Sequence, residues 1–449
     1  MLKNGLYNVI PGLFRAGLSF ISIPVLIRLM GLEEYGVWAL VSSVLSFIVL
    51  AEAGLPVSAT VFVSQDLAKK DEKGLSQTLT IIVGAMLLLA SIAALLLGIG
   101  AEALASCFPK LETFQQQRVV QAIQVGVIAV WAQLLQQCFI GIEQAYQQYK
   151  FMSALTTVQW IFLTVGWMAL AWSGGRAVAL AQWQVLVSVA TLLGHIWIIA
   201  LLTKKQNIRL LWNPQRGIEI LNYSLISWIT TLGRALFTRG DRLIVGSLLG
   251  SSQLAIYATM LDFASATISF SALAVHPLIP AISNLVVENN SNKALLRDKV
   301  KKAIKINVLV AITIGSVILI CGTLIIKFVI PESFNFTNVK IFQISVLIAT
   351  LTALNAPGYL ILFTTKDVAI SAFNQLFFGV LSLGLIAIGS VQFGLLGAVL
   401  GNIGYIGTLI LPVVAMKKLN IPLYLLFSWL AIPVFLFLII SFLSIMFIY

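Results

Sequence analysis

Long runs of apolar positions, broken by short polar stretches, dominate the chain. Runs of membrane-span length lie near 8–30, 36–58, 77–100, 118–142, 152–173 and 177–202. A second set lies near 220–249, 253–283, 303–330, 339–363, 367–390 and 393–415. A last run, PLYLLFSWLAIPVFLFLIISFLSIMFIY, is long enough for one crossing, since each needs about 20 apolar residues. The pattern therefore predicts thirteen spans in an all-α polytopic membrane protein. Asn355-Ala356-Pro357-Gly358 is expected to break a helix, and Pro24, Pro56, Pro277 and Pro280 are further candidate breaks.

A long basic interruption, TKKQNIRLLWNPQRG, divides the first twelve spans into six and six. The opening helix of each half can be laid on the other at a spacing of 219. Arg15-Ala16 then falls on Arg234-Ala235, and Leu29-Met30-Gly31 on Leu248-Leu249-Gly250. Equal span counts around a central linker predict two six-helix lobes, related by a pseudo-twofold axis along the membrane normal, with a site between them. The expected division is 1–202 for the first lobe, 203–219 for a cytoplasmic linker, 220–416 for the second lobe, and 417–449 for an additional C-terminal span.

Composition agrees with a bilayer as solvent: mean hydropathy is +1.00 and only 10% of residues are charged, against about 25% in soluble domains. The net charge of +12 is spread through short loops, so it reports orientation and not a nucleic-acid face. With the N-terminus cytoplasmic, 18 of the 28 Lys and Arg residues fall on the inner side, 5 on the outer side and 5 within spans. The start lacks a small-residue cleavage site and reads as a retained first span. Cys107, Cys138 and Cys321 have neither disulfide nor metal spacing.

The residues within spans are the candidate chemistry. Thr231, Arg234, Thr238 and Asp241 share a helix face, with Arg242 beside the last. Asp262, Ser265, Ser269 and His276 form a second stripe, and Asn8, Arg15, Ser19 and Ser22 a third. Such faces hold helices together or line water. Arg28 lies near the outer end and can snorkel. Arg15, Arg234, Arg239 and Arg242 outnumber the acids noted beside them, and excess intramembrane charge marks a path for the opposite sign. Guanidinium forks suit phosphate oxygens, so the expected substrate is a phosphate-bearing anion. Gln133, Gln136, Trp131 and Trp160 could contact sugar, although Gln also joins helices and Trp also marks interfaces. Asp241, Asp262 and Glu52 are the candidates for charge balance or for coupling to H⁺ or Na⁺; the membrane potential is the other source of drive. His195 reads as a structural residue at a helix end. No cofactor, metal site or catalytic set is expected, and an enzyme is disfavoured because no cluster of His and carboxylates occupies a large loop.

The stretches RLMGLEEYGVWAL, EAGLP and DRLIVGSLLGSSQLAIYA resemble the polysaccharide-synthesis branch of the multidrug/oligosaccharidyl-lipid/polysaccharide (MOP) exporter superfamily. More narrowly, the chain resembles the O-antigen repeat-unit flippases of Wzx type. The resemblance implies two lobes around a central cationic cavity. It also implies a lipid-linked oligosaccharide on a polyprenyl pyrophosphate, passed by alternating access from the cytoplasmic to the periplasmic leaflet of the bacterial inner membrane, as in lipopolysaccharide biosynthesis. Arg15 and Arg234 sit in the spans that bear the family's pyrophosphate-binding charges, with Arg239 and Arg242 as second choices. Membrane lipids, an O-antigen polymerase and a chain-length regulator are the implied partners. A cation-coupled multidrug antiporter of the same superfamily is the rival reading, and it would need surplus acid where this sequence sets arginine.

Overall fold

The structure, a computed structural model, describes residues 17–18, 21–204, 206, 208–275, 282, 293–364 and 368–446. The side chains of some helical residues, Arg234 among them, lie outside that description, as do Arg15, His276, Pro277 and Pro280 altogether. Among the described residues there are helices and no strands. In a solvent that offers no hydrogen bonds, a helix satisfies its backbone within itself.

Two compact units result, the first running to Ala235 and the second starting at Leu236. The first contains α1 (Ile21–Met30), α2 (Leu32–Phe47), a 3₁₀ segment at Ile48–Glu52, α3 (Leu55–Lys69) and α4 (Glu72–Ile99). It continues with α5 (Ala101–Ser106), α6 (Thr113–Ala145), α7 (Tyr149–Trp172) and α8 (Ala177–Thr203). Then α9 (Pro214–Leu249) carries the chain across the boundary. The second unit holds α10 (Ser251–Ala264), α11 (Ala266–Val275), α12 (Lys293–Ile320) and α13 (Gly322–Val329). After these come α14 (Phe336–Ala353), α15 (Ala356–Thr364), α16 (Val368–Gly401), a 3₁₀ segment at Asn402–Leu409, α17 (Ile410–Lys418) and α18 (Leu423–Met446).

Ten stretches among the described residues are long and apolar enough to cross a membrane. One of them, Ala369–Lys418, is 50 residues long and contains two of the predicted spans, parted at Gly394 (φ 58°, ψ −135°). The first predicted span lies largely outside the described residues, with α1 as its visible part; the seventh is α9. The expected break at Asn355-Ala356-Pro357 separates α14 from α15. Pro56 follows another break, where Ala53 (φ 48°) and Gly54 (φ 73°) interrupt the second span. Pro24 stays within α1.

The 219-residue spacing runs through the elements as well as the motifs. Leu32 and Tyr149, the starts of α2 and α7, map to Ser251 and Val368, the starts of α10 and α16. Ala145, the end of α6, maps to Thr364, the end of α15. Gly31 (φ 84°) and Gly250 (φ 88°) break the opening helix of each set in the same left-handed half of backbone space, where glycine carries no steric cost.

Within the first unit, the opening of α9 lies antiparallel to α3. Arg216 Nη2 meets Asp66 Oδ1 at 2.7 Å, the Tyr223 ring packs edge-on against Phe62, and the Ser224 and Ser58 hydroxyls are 2.6 Å apart. Farther along, Trp228 Nε1 donates to the Leu50 carbonyl at 2.6 Å. In the second unit the two arms meeting at Gly394 pack backbone against backbone. A Cβ added at Gly389 would strike Gly397, one at Gly401 would strike Ile386, and one at Gly404 would strike Ser382. Small residues permit this close approach where dispersion, and not water exclusion, holds helices together.

Candidate functional site

The deepest described charges of the second unit gather on α9 and α10. At 1.5 Å per residue, Asp241 and Arg242 stand about 12–14 Å from Gly250 along α9, about two turns inside its end. Arg242 Nη2 is ion-paired with Asp262 on α10. The Asp241 carboxylate takes the backbone N–H of Arg242 on Oδ1 (2.8 Å) and the Tyr257 hydroxyl on Oδ2 (3.1 Å). Asn402 Nδ2 in turn donates to Tyr257 Oη at 3.0 Å. Arg239 stands within Coulombic reach of Asp241. An unpaired charge here would cost several kcal/mol, and the network removes that cost by pairing and hydrogen bonding.

This arrangement changes the expected charge balance. Arg239 and Arg242 are matched by Asp241 and Asp262, so the described part of α9–α10 has no cationic excess. Arg242 in particular is buried and bound to a carboxylate. The surplus rests on Arg15, outside the described residues, and Arg234, whose backbone is helical within α9. Arg28 is exposed on α1. Glu52 closes the 3₁₀ segment before the Ala53–Gly54 break.

The residues considered for sugar contact form a polar seam inside the first unit. Gln133, Gln136 and Glu143 share one face of α6, while Ser188 and His195 share one face of α8. Gln133 Nε2 donates to Ser188 Oγ at 3.1 Å and Gln136 Nε2 to the Ser188 carbonyl at 2.5 Å. Gln159 on α7 donates to Gln136 Oε1 at 3.1 Å. Trp131 Nε1 donates to Ser91 Oγ on α4 at 3.1 Å, and Trp160 is half-buried on α7. For Gln133, Gln136 and Trp131, these bonds join helices to one another.

The seam ends in a pair that sequence reasoning missed. His195 Nδ1 lies 2.7 Å from Glu143 Oε1, both side chains at 0% exposure. His195 thus sits inside α8, eight residues before its end at Thr203, and not at a helix end. A carboxylate and an imidazole alone in apolar runs were the available signal; the choice of partner was not legible.

A further cluster closes one end of the first unit. The Glu34 carboxylate pairs with Arg118 on α6 and accepts the N–H of Ala177 (3.1 Å) at the start of α8, where a helix dipole favours negative charge. Arg176 Nη1 donates to the Met30 carbonyl at 2.6 Å, filling an orphan acceptor at the end of α1.

Residues 1–286 match the family described as "Polysaccharide biosynthesis protein". The chain belongs to that family. No curated protein matches it in sequence. Among solved structures, the chain is similar to the lipid II flippase MurJ in an inward closed conformation. The TM-score is 0.76 at 13% identity, over 98% of this chain and 97% of that one. It is also similar to an inward-facing multidrug resistance MATE family transporter of the MOP superfamily. There the TM-score is 0.70 at 16% identity, over 93% and 94% of the two chains. The chain therefore shares the fold of these two structures and, with ten stretches long and apolar enough to cross a membrane among its described residues, is a multi-pass membrane protein.

Proposed function

We propose that the protein is a flippase for a polyprenyl-pyrophosphate-linked oligosaccharide, an O-antigen repeat unit or a similar one. It would carry this substrate from the cytoplasmic to the periplasmic leaflet of the bacterial inner membrane by alternating access. One observation carries the reading: membership of the polysaccharide biosynthesis family on a fold shared, over nearly the whole chain, with a flippase of another lipid-linked precursor.

In this reading Arg15 and Arg234 bind the pyrophosphate, exchanging its water for guanidinium forks, and Arg239 assists. Arg242, already paired with Asp262, holds α9 against α10. Outward movement of each negative charge through an inside-negative potential gains about 2.3 kcal/mol per 100 mV, and two charges gain roughly 4.6 kcal/mol. Coupling to H⁺ or Na⁺ through Asp241, Asp262 or Glu52 would add to that drive. A polymerase and a chain-length regulator would consume the flipped product.

The test is complementation of a strain lacking the protein, with surface polysaccharide and inner-leaflet lipid-linked oligosaccharide both measured. Arg15→Ala and Arg234→Ala should abolish the polysaccharide ladder and accumulate inner-leaflet precursor at normal protein levels. Arg28→Lys should leave the ladder intact. Full laddering in both alanine variants would remove these arginines from the mechanism.

The MATE-like fold favours one second reading, a cation-coupled multidrug antiporter. The balanced α9–α10 cluster gives such a cation no acidic excess among the described residues. Saturable binding of a cationic dye by the purified protein would support the antiporter.

A further inference from the structure

The chain between the two sets of spans is fastened as a strap. From Ile208 to Asn213 it runs without helix along the start of α4. The Arg209 N–H donates to Ser76 Oγ at 3.3 Å, the Leu211 N–H to Thr80 Oγ1 at 3.2 Å, and Asn213 Nδ2 to Gln77 Oε1 at 3.2 Å. Alternate residues are thereby anchored. Leu210 and Trp212, lying between the anchors, remain 91% and 70% exposed.

Three observations say what covers them. First, non-helical backbone is tolerated beside lipid only where its polar groups are met, and α4 hydroxyls meet two strap N–H groups. Second, the α4 face that opens with Lys73 and Gln77 continues at helical spacing through exposed Leu88, Ile92, Leu95 and Ile99. Such an apolar stripe on a membrane-spanning helix faces acyl chains, so the strap lies at its foot, at headgroup depth. Third, Lys73, Lys204 and Arg209 are exposed around the strap, as are Lys69 and Lys70 in the turn before α4. Tryptophan beside basic residues is the composition of a membrane–water boundary.

We propose that this strap is an anchor for anionic phospholipid. Leu210 and Trp212 enter the headgroup layer, and Lys73, Lys204 and Arg209 hold the lipid phosphates. The reading is independent of which substrate the protein moves.

The test uses the full chain in nanodiscs of phosphatidylcholine, alone or with an equal share of phosphatidylglycerol. A fluorophore on Leu210→Cys, with Cys107 and Cys321 changed to Ser, should be quenched by a nitroxide-bearing lipid and shielded from iodide. Retention of phosphatidylglycerol, read by native mass spectrometry, should fall about fivefold for each of Lys73→Gln, Lys204→Gln and Arg209→Gln. Lys327→Gln should leave retention unchanged, and soluble glycerophosphate should not compete. Iodide quenching at residue 210 as strong as in the unfolded protein would overturn the proposal. So would wild-type retention in the triple glutamine variant, whose folding is checked by its thermal transition.

Discussion

The opening helix pairs of the two units share a backbone plan and differ in where they keep charge. Both pairs, α1–α2 and α9–α10, are parted by a glycine at positive φ, Gly31 in one and Gly250 in the other. At corresponding positions, Trp38 packs edge-on against Trp167 (5.2 Å between centroids), whereas Tyr257 hydrogen-bonds Asp241 and Asn402. Asp241, Arg242 and Asp262 have Ser22, Ile23 and Ser43 as their counterparts. The first pair keeps its acids, Glu33 and Glu34, at a helix start, Glu34 beside a half-exposed Arg118; the second buries Asp241 and Arg242 within the helix and pairs Arg242 with a half-buried Asp262. Among the described residues, the repeated scaffold thus carries a carboxylate–guanidinium pair between its two opening helices in the second copy and none in the first.

The sharpest way to break this comparison is to remove one mid-span partner. Asp262→Ala takes from buried Arg242 the carboxylate on α10 and should destabilise the protein by about 2–3 kcal/mol, while Arg242→Met with Asp262→Leu should recover most of the loss. A double-mutant cycle of denaturation in detergent measures both. Gly250→Ala comes next. At φ 88°, ψ 179° the backbone lies in a region that is essentially glycine-only, so about 1–3 kcal/mol should be lost, visible in the same unfolding assay. Tyr257→Phe removes the donor to Asp241 and the acceptor for Asn402 without changing shape, at about 1–3 kcal/mol. The smallest effect belongs to Glu34→Gln in the first pair. Arg118 is 38% exposed in its side chain, solvent screens the pair, and about 1 kcal/mol or less should be lost. A Glu34→Gln loss as large as that of Asp262→Ala would erase the distinction between the two pairs.

Much of this was readable from sequence where the signal is local. Apolar runs, the Asn355-Ala356-Pro357 break and the register of Gly31 with Gly250 each depend on residues within a turn or two. The stretches that carried the family resemblance proved to be packing determinants: RLMGLEEYGVWAL supplies the Gly31 break, the Glu34 clamp and buried Trp38, and DRLIVGSLLGSSQLAIYA supplies Asp241, Gly250 and Tyr257. Partner choice was the hidden part. Asp241 stands next to Arg242 in the chain, yet the guanidinium reaches Asp262, because adjacent residues on a helix point apart and a neighbouring helix offers a better approach. Glu143 and His195 are 52 residues apart, and no periodicity relates them. The glutamines of α6 fit a cavity lining and a helix seam equally well until their partners, Ser188 and Gln159, are known.

The hairpin that turns at Gly394 has a consequence for how this protein can vary. Its facing chains touch at Gly389–Gly397 and at Gly401–Ile386 with no space for even one methyl group. Mutational tolerance along these two arms should therefore run opposite to side-chain size: bulky lipid-facing residues exchange freely, while the smallest ones are fixed.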